Sequence, residues 1–162
     1  MLDVGTGTGA IALAFADEHP GARVTGIDVS ADALALAHEN VARTHLDVEL
    51  LEHDLRAGLP AGPWDLVVSN PPYVEPEELD TLMSDVRDFE PHLALAGRGA
   101  TEAVARSASA ELARGGWLVL EVGDGQAPAT AALLDELGYG EVATTADLTG
   151  RDRVVEGRRV GG

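Results

Sequence analysis

Two stretches of this chain carry residue types that chemistry would use. The first is Ser69-Asn70-Pro71-Pro72-Tyr73, at the end of the β-branched run 64–69. Each proline locks its φ and lacks an N–H, so the loop ends a strand, fixes the backbone and offers carbonyl oxygens with few donors. Asn70 adds a carboxamide oxygen, and Tyr73 a flat aromatic face. Such a loop suits a planar NH2 group. The lone pair of that nitrogen is delocalised and must be turned toward an electrophilic carbon. Two acceptors gripping its two N–H bonds would orient the nitrogen and favour charge build-up on it. No strong general base is needed, and none is evident.

The second stretch is Asp3-Val4-Gly5-Thr6-Gly7-Thr8-Gly9, which leads straight into an Ala/Leu-rich run. Glycines at alternate positions permit a tight turn and close approach of the backbone to a ligand. The N–H groups of a helix start are expected to stand free and face that ligand. Gly26-Ile27-Asp28 follows, with the acid about 20 residues downstream, where a carboxylate hydrogen-bonds ribose hydroxyls. The spacing is G-x-G-x-G rather than G-x-G-x-x-G, so the dinucleotide fingerprint is not matched. Asp3 stands where it could hold the cationic end of a ligand.

The elements that must position these loops alternate along the chain. Strands are expected at 1–4, 23–27, 48–51, 64–69, 117–122, 141–145 and 153–156. Helices are expected at 10–18, at 31–43 behind Ser30 as N-cap, at 101–114 and at 128–137. This alternation means an α/β domain with a mostly parallel seven-stranded sheet and helices on both faces. The link between the last two strands is too short for a helical crossover, so they form an antiparallel edge hairpin. Ligands of such sheets bind beyond the carboxyl ends of the strands, where strand order reverses.

With 162 residues the chain is read as one domain, 1–162, and 45% apolar content is that of a globular protein. Acidic residues number 28 against 11 basic ones, all of them Arg, for a net charge of -17. That imbalance argues against direct binding to nucleic acid or to an anionic membrane. The absence of cysteine rules out disulfides, thiolate metal sites and a cysteine nucleophile. His19, His38, His45, His53 and His92 show no ligand spacing, so no metal is expected. No apolar run spans a membrane, and no secretory signal opens the chain, so the expected location is cytoplasmic.

Asp-x-Gly-x-Gly-x-Gly with an acid ending strand two resembles the cofactor loop of class I S-adenosylmethionine-dependent methyltransferases, which have a Rossmann-like fold. Asn-Pro-Pro-Tyr resembles the motif of those that act on planar NH2 groups. The segments LDVGTGTGAIALA (2–14), GIDVSADALALAHEN (26–40), VSNPPYV (68–74), VRDFEPHLAL (86–95), GGWLVLEVG (115–123) and DLTGRDRVVEGR (147–158) resemble the release-factor glutamine methyltransferases, the HemK/PrmC family. By that resemblance Asp3, Gly5, Thr6, Gly7, Thr8, Gly9, Asp28 and Asn70 bind S-adenosyl-L-methionine. Asp54 would contact the adenosine, and Leu55 would flank the adenine. Asn70, Pro71, Pro72 and Tyr73 would hold the glutamine of a Gly-Gly-Gln tripeptide, with Asn70, Pro71 and Tyr73 as the catalytic set. The implied partner is a class I peptide chain release factor.

Two features depart from the family pattern. Members carry a helical N-terminal substrate-binding domain ahead of the catalytic fold, whereas Met1 here lies four residues before the first glycine. The chain is therefore read as the catalytic domain without it. The segment Ala96-Gly97-Arg98-Gly99-Ala100-Thr101-Glu102 is also several residues shorter than its family counterpart. Glu75, Glu77, Glu78, Asp80, Asp85, Asp88 and Glu90 crowd the loop after the Pro-Pro pair. They form either a solvated flap or a lip that attracts a basic substrate segment. Two alternative readings remain at this level: an amino-methyltransferase for adenine or guanine, and a non-catalytic cofactor-binding fragment.

Overall fold

A computed structural model describes residues 1–71 and 98–161. The strands are β1 (Leu2–Val4), β2 (Thr25–Asp28), β3 (Glu49–Glu52), β4 (Trp64–Ser69), β5 (Leu112–Glu121), β6 (Tyr139–Ala146) and β7 (Asp152–Arg159). The helices are α1 (Ala10–Glu18), α2 (Ala31–Thr44), α3 (Arg98–Glu111) and α4 (Ala127–Glu136). One sheet holds all seven strands in the order β3-β2-β1-β4-β5-β7-β6. The pairings from β3 through β5 are parallel, and β7 runs antiparallel to both β5 and β6. The expected hairpin is present, but its second strand is inserted next to β5, leaving β6 as the edge.

Short strands buried on both faces need apolar side chains pointing both ways, and the sequence supplies them. Leu2, Val4, Val67, Leu118 and Leu120 pack with Val104, Ala105 and Ala108 of α3 and Leu134 of α4. On the other side Val24 and Val48 pack with Ala12 of α1, joined by Leu66, Val68 and Val41 of α2. Asp3 sits between two buried aliphatic residues in β1, and this is the first sign that its burial serves something other than packing.

Several element boundaries differ from the expected ones: β5 begins at Leu112 rather than 117, and β6 and β7 are each longer than expected. α3 begins at Arg98 and ends at Glu111, three residues before Arg114. Leu112 already pairs with Trp64, and the Glu111 carboxylate accepts the Gly62 N–H at 2.7 Å. Those tertiary contacts override the helical spacing of Leu112-Ala113-Arg114. β2 starts at Thr25 rather than Arg23, with the Met1 carbonyl accepting the Thr25 N–H at 3.0 Å. No helix among the described residues is long and apolar enough to cross a membrane.

Register aligns one row of residues across the sheet. Leu51, Ile27, Val4, Ser69, Leu120, Val155 and Thr144 are successive neighbours in that row. The chain leaves β1 toward β2 and β3 on one side and returns to β4 on the other. The reversal of strand order therefore falls between β1 and β4, at their carboxyl ends.

Candidate functional site

The glycine turn is built from three left-handed residues. Gly5, Gly7 and Gly9 have φ of 70°, 55° and 79°, a region that costs other L-residues strain. Gly9 is also the residue before α1, and a Cβ there would meet Ala37 of α2 at 3.5 Å. Asn40 of α2 reaches the same turn, donating from Nδ2 to the Thr8 carbonyl at 2.9 Å.

Ahead of the helix start, several N–H groups of the turn are used within the fold. The Ile27 carbonyl accepts from both Gly5 and Thr6 at 2.9 Å, and the Thr6 carbonyl accepts from Gly9 at 2.8 Å. Gly7 N–H donates to Asp28 Oδ2 at 2.9 Å. The turn is held against the end of β2 rather than standing clear of it, so several of its donors hold its own shape. Thr8 and Gly5 are exposed, while Thr6 and Gly9 are buried beneath them.

Asp3 is 1% exposed. Its Oδ2 accepts from the Thr6 hydroxyl at 2.6 Å and from the Ala12 N–H at 3.2 Å, so it caps the first turn of α1 from a neighbouring strand. Its Oδ1 is buried and has no partner among the described residues. Burial pushes the Asp3 carboxyl above the usual carboxylate range, against the pull of the Thr6 and Ala12 hydrogen bonds, and the nearby charge of Asp28 adds to the rise. An unpartnered buried carboxylate oxygen is costly, and a cationic hydrogen-bond donor would relieve that cost.

Asp28 closes β2 and is half-buried. Its Oδ1 accepts the Ser30 N–H at 2.9 Å, while Ser30 Oγ accepts from Ala33 and caps α2. The Asp28 carboxylate thus stands preorganised by two backbone donors, Gly7 and Ser30. The Asp28 carbonyl accepts the His53 N–H at 2.9 Å, which draws the segment after β3 alongside it.

That segment carries Asp54 and Leu55. Asp54 takes Arg56 on both oxygens, at 2.9 Å from the Arg56 N–H and 2.5 Å from its guanidinium. The Arg56 hydrogen bond holds the exposed Asp54 carboxyl below the usual range. Leu55 opens a short 3-10 turn and packs on the larger core cluster. Two-residue spacing on a loop is the one signal in the sequence for the pairing of Arg56 with Asp54.

Asn70 lies one residue beyond the aligned row, as do Gly5 and Asp28, and it is exposed. Pro71 is buried. The Ser69 hydroxyl, itself buried, donates to the Val4 carbonyl at 2.8 Å and ties the ends of β4 and β1 together. This bond joins the glycine turn after β1 to the Asn70-Pro71 loop after β4, a link between distant segments that no local signal in the sequence marks. Pro72, Tyr73 and the acidic residues from Glu75 to Glu90 lie outside the described residues, as do Ala96 and Gly97.

Gly26 shows how tightly the site is assembled. A Cβ there would stand 2.8 Å from Thr6 Oγ1 and 3.1 Å from Leu50 Cδ2. Gly26→Ala is therefore expected to push Thr6 off Asp3 and to destabilise the fold by about 1–3 kcal/mol. Urea denaturation measures this; an unchanged midpoint would contradict the close approach.

The sheet order, the glycine turn at the β1–β4 reversal and the acid ending β2 define a class I S-adenosylmethionine-dependent methyltransferase fold. The solved S-adenosylmethionine-dependent methyltransferase SibL, in its apo form, shares it with a TM-score of 0.72 at 20% identity, covering 99% of this chain and 50% of that one. Residues 1–147 match the methyltransferase small domain family, and the chain belongs to that family. It is 47% identical to the release factor glutamine methyltransferase of Deinococcus radiodurans, over 100% of this chain and 59% of that protein. Against the release factor glutamine methyltransferase of Caulobacter vibrioides it is 45% identical, over 97% of this chain and 56% of that protein. The chain thus spans less than two thirds of the length of these relatives.

Proposed function

We propose that this chain transfers a methyl group from S-adenosylmethionine to the side-chain amide nitrogen of a glutamine. Its substrate is the Gly-Gly-Gln motif of a class I peptide chain release factor, met in the cytoplasm. The observation that carries the reading is the shared row of Ile27, Val4 and Ser69, which brings Asp28, Gly5 and Asn70 to one rim on adjacent strands. The identity to release factor glutamine methyltransferases supports the choice of substrate.

The residues present fit the cofactor. The buried, unpartnered Asp3 Oδ1 matches an ammonium group, and the Asp28 carboxylate matches ribose hydroxyls. The Gly5, Gly7 and Gly9 turn lets that ligand approach the backbone, with Thr6 and Thr8 between the glycines, and Asp54 and Leu55 flank the adenine side. When bound, S-adenosylmethionine supplies an electrophilic methyl carbon. Asn70 Oδ1 and the Pro71 carbonyl accept the two N–H groups of the glutamine amide, turning its nitrogen lone pair toward that carbon. By residue type, Pro72 would stiffen the loop and Tyr73 would offer a flat aromatic face to the amide. Catalysis is positioning and electrostatics, with one amide proton released to water. As the N–C bond forms, the sulfur–methyl bond breaks, so the products are N5-methylglutamine and S-adenosylhomocysteine.

Calorimetric titration with S-adenosylmethionine, followed by transfer of labelled methyl to a release factor, tests the reading. Label is expected on the factor and absent from a variant whose Gly-Gly-Gln glutamine is replaced by alanine. Label on adenine or guanine instead would move the substrate to nucleic acid. Cofactor binding without any transfer would leave a non-catalytic domain.

A further inference from the structure

The segment 147–158 contains a turn with more bracing than a hairpin needs. The tip runs from Asp147 to Arg151, between β6 and β7. Asp147 Oδ1 accepts from the Thr149 N–H and hydroxyl, both at 2.7 Å, and from the Arg151 N–H at 3.1 Å. Asp147 Oδ2 pairs with Arg153 at 3.6 Å, and Arg153 also donates to the Val122 carbonyl beyond β5. Arg151 reaches across to Asp124 at 3.3 Å. Gly150 supplies the left-handed residue the turn requires, with φ 82°. Asp147, Thr149, Gly150, Arg151 and Arg153 each have a local task.

Leu148 has none. Its fractional exposure is 108%, so no part of the described fold covers it. A single exposed leucine is ordinary; one displayed at the apex of a turn braced this way is preset for contact. The location adds to this. Thr144 and Val155 lie in the same row as Ser69, so the tip projects from the rim that carries Asn70. β7 stands two strand spacings from β4, about 10 Å along that rim. One glutamine side chain cannot bridge that gap, but a protein footprint of about 800 Å² readily covers it.

Resting on the glutamine reading above, we propose that the Leu148 tip is a docking contact for the body of the protein substrate, separate from the site that holds the reacting amide. Charge favours a polypeptide over a nucleic acid here. Both arginines of the tip are paired to carboxylates, Asp152 is exposed beside them, and the whole chain carries -17. What remains for a partner is an apolar knob beside an exposed carboxylate, on a chain whose net negative charge repels phosphates.

Binding of a class I release factor to the parent chain, to Leu148→Ala and to Leu148→Asp, read by calorimetry, tests the proposal without relying on turnover. Both substitutions are expected to weaken binding, Leu148→Asp by about tenfold or more, as loss of one buried leucine contact implies. The cofactor Kd provides the control for folding. Equal affinities for all three chains overturn the proposal, as does a parent that binds no release factor. Leu148-dependent binding of ribosomal RNA in place of the factor overturns it too. A parent that binds the factor through Leu148 yet transfers no methyl supports docking and removes the glutamine reading instead.

Discussion

Asn70→Ala is expected to lower methyl transfer to glutamine about a thousandfold while changing the cofactor Kd by less than about threefold. The asymmetry follows from position. Asn70 lies one residue beyond the row in which Ser69 is bonded to Val4, so its carboxamide is presented at the strand reversal by a buried 2.8 Å hydrogen bond. Truncation removes the acceptor for an amide N–H and leaves the nitrogen free to rotate out of line. Loss of alignment and loss of stabilisation of the developing charge act together on kcat. The residues proposed to contact the cofactor, Asp3, the glycine turn and Asp28, are held by hydrogen bonds that do not pass through Asn70. Single-turnover transfer of labelled methyl, with calorimetry beside it, measures both quantities. A variant that retains near-parental turnover would remove the acceptor mechanism.

The second large effect is expected at Asp3. Asp3→Asn should weaken S-adenosylmethionine binding about a hundredfold, because an ion pair between carboxylate and ammonium becomes at best a hydrogen bond from the ammonium to a neutral carbonyl. The unliganded protein should behave in the opposite sense. Burial raises the Asp3 carboxyl in the folded state, so the folded chain binds that proton more readily than the unfolded one. Below the ordinary aspartate range both states are protonated and the group contributes no penalty. As pH rises from there through the raised folded value, the penalty of a buried anion develops and stability falls. Asp3→Asn removes that window, so its unliganded stability at neutral pH should not drop below that of the parent. Thermal unfolding from pH 3 to pH 8, with and without cofactor, tests both halves. A variant that binds cofactor normally, or one that loses unliganded stability at neutral pH, would contradict this account of Asp3.

Both effects arise from one device. The ends of β1, β2 and β4 are fastened by side chains and carbonyls of the loops that follow them: Ser69 to Val4, Gly5 and Thr6 to Ile27, and Gly7 to Asp28. Each bond satisfies a polar group that would otherwise be buried alone, and together they set three loops against one another. Gly26 and Gly9 let the layers close, one where Thr6 lies over β2 and the other where α1 meets α2.

Much of this was legible in the residues. Glycines at alternate positions, an acid about 20 residues on and two consecutive prolines after a β-branched run are local signals, since each acts on its own stretch of backbone. They marked the glycine turn, the end of β2 and the end of β4 to within a residue. Helix boundaries set by contact between distant segments were not legible. α3 stops at Glu111 because Leu112 joins Trp64, a partner 48 positions away in the chain.

The sequence by itself determined the class of fold and the chemistry of the loops, because backbone freedom, rigidity and side-chain functional groups are properties of the residues in place. The tertiary structure decided that β7 inserts beside β5, that Asp3 is buried with one oxygen unpartnered among the described residues, that amides of the turn bond to the end of β2, and that no described residue covers Leu148 on the rim. Those outcomes depend on which strand edges and polar groups meet across the sheet. They are long-range choices, settled by pairing register and burial rather than by any residue's own preference.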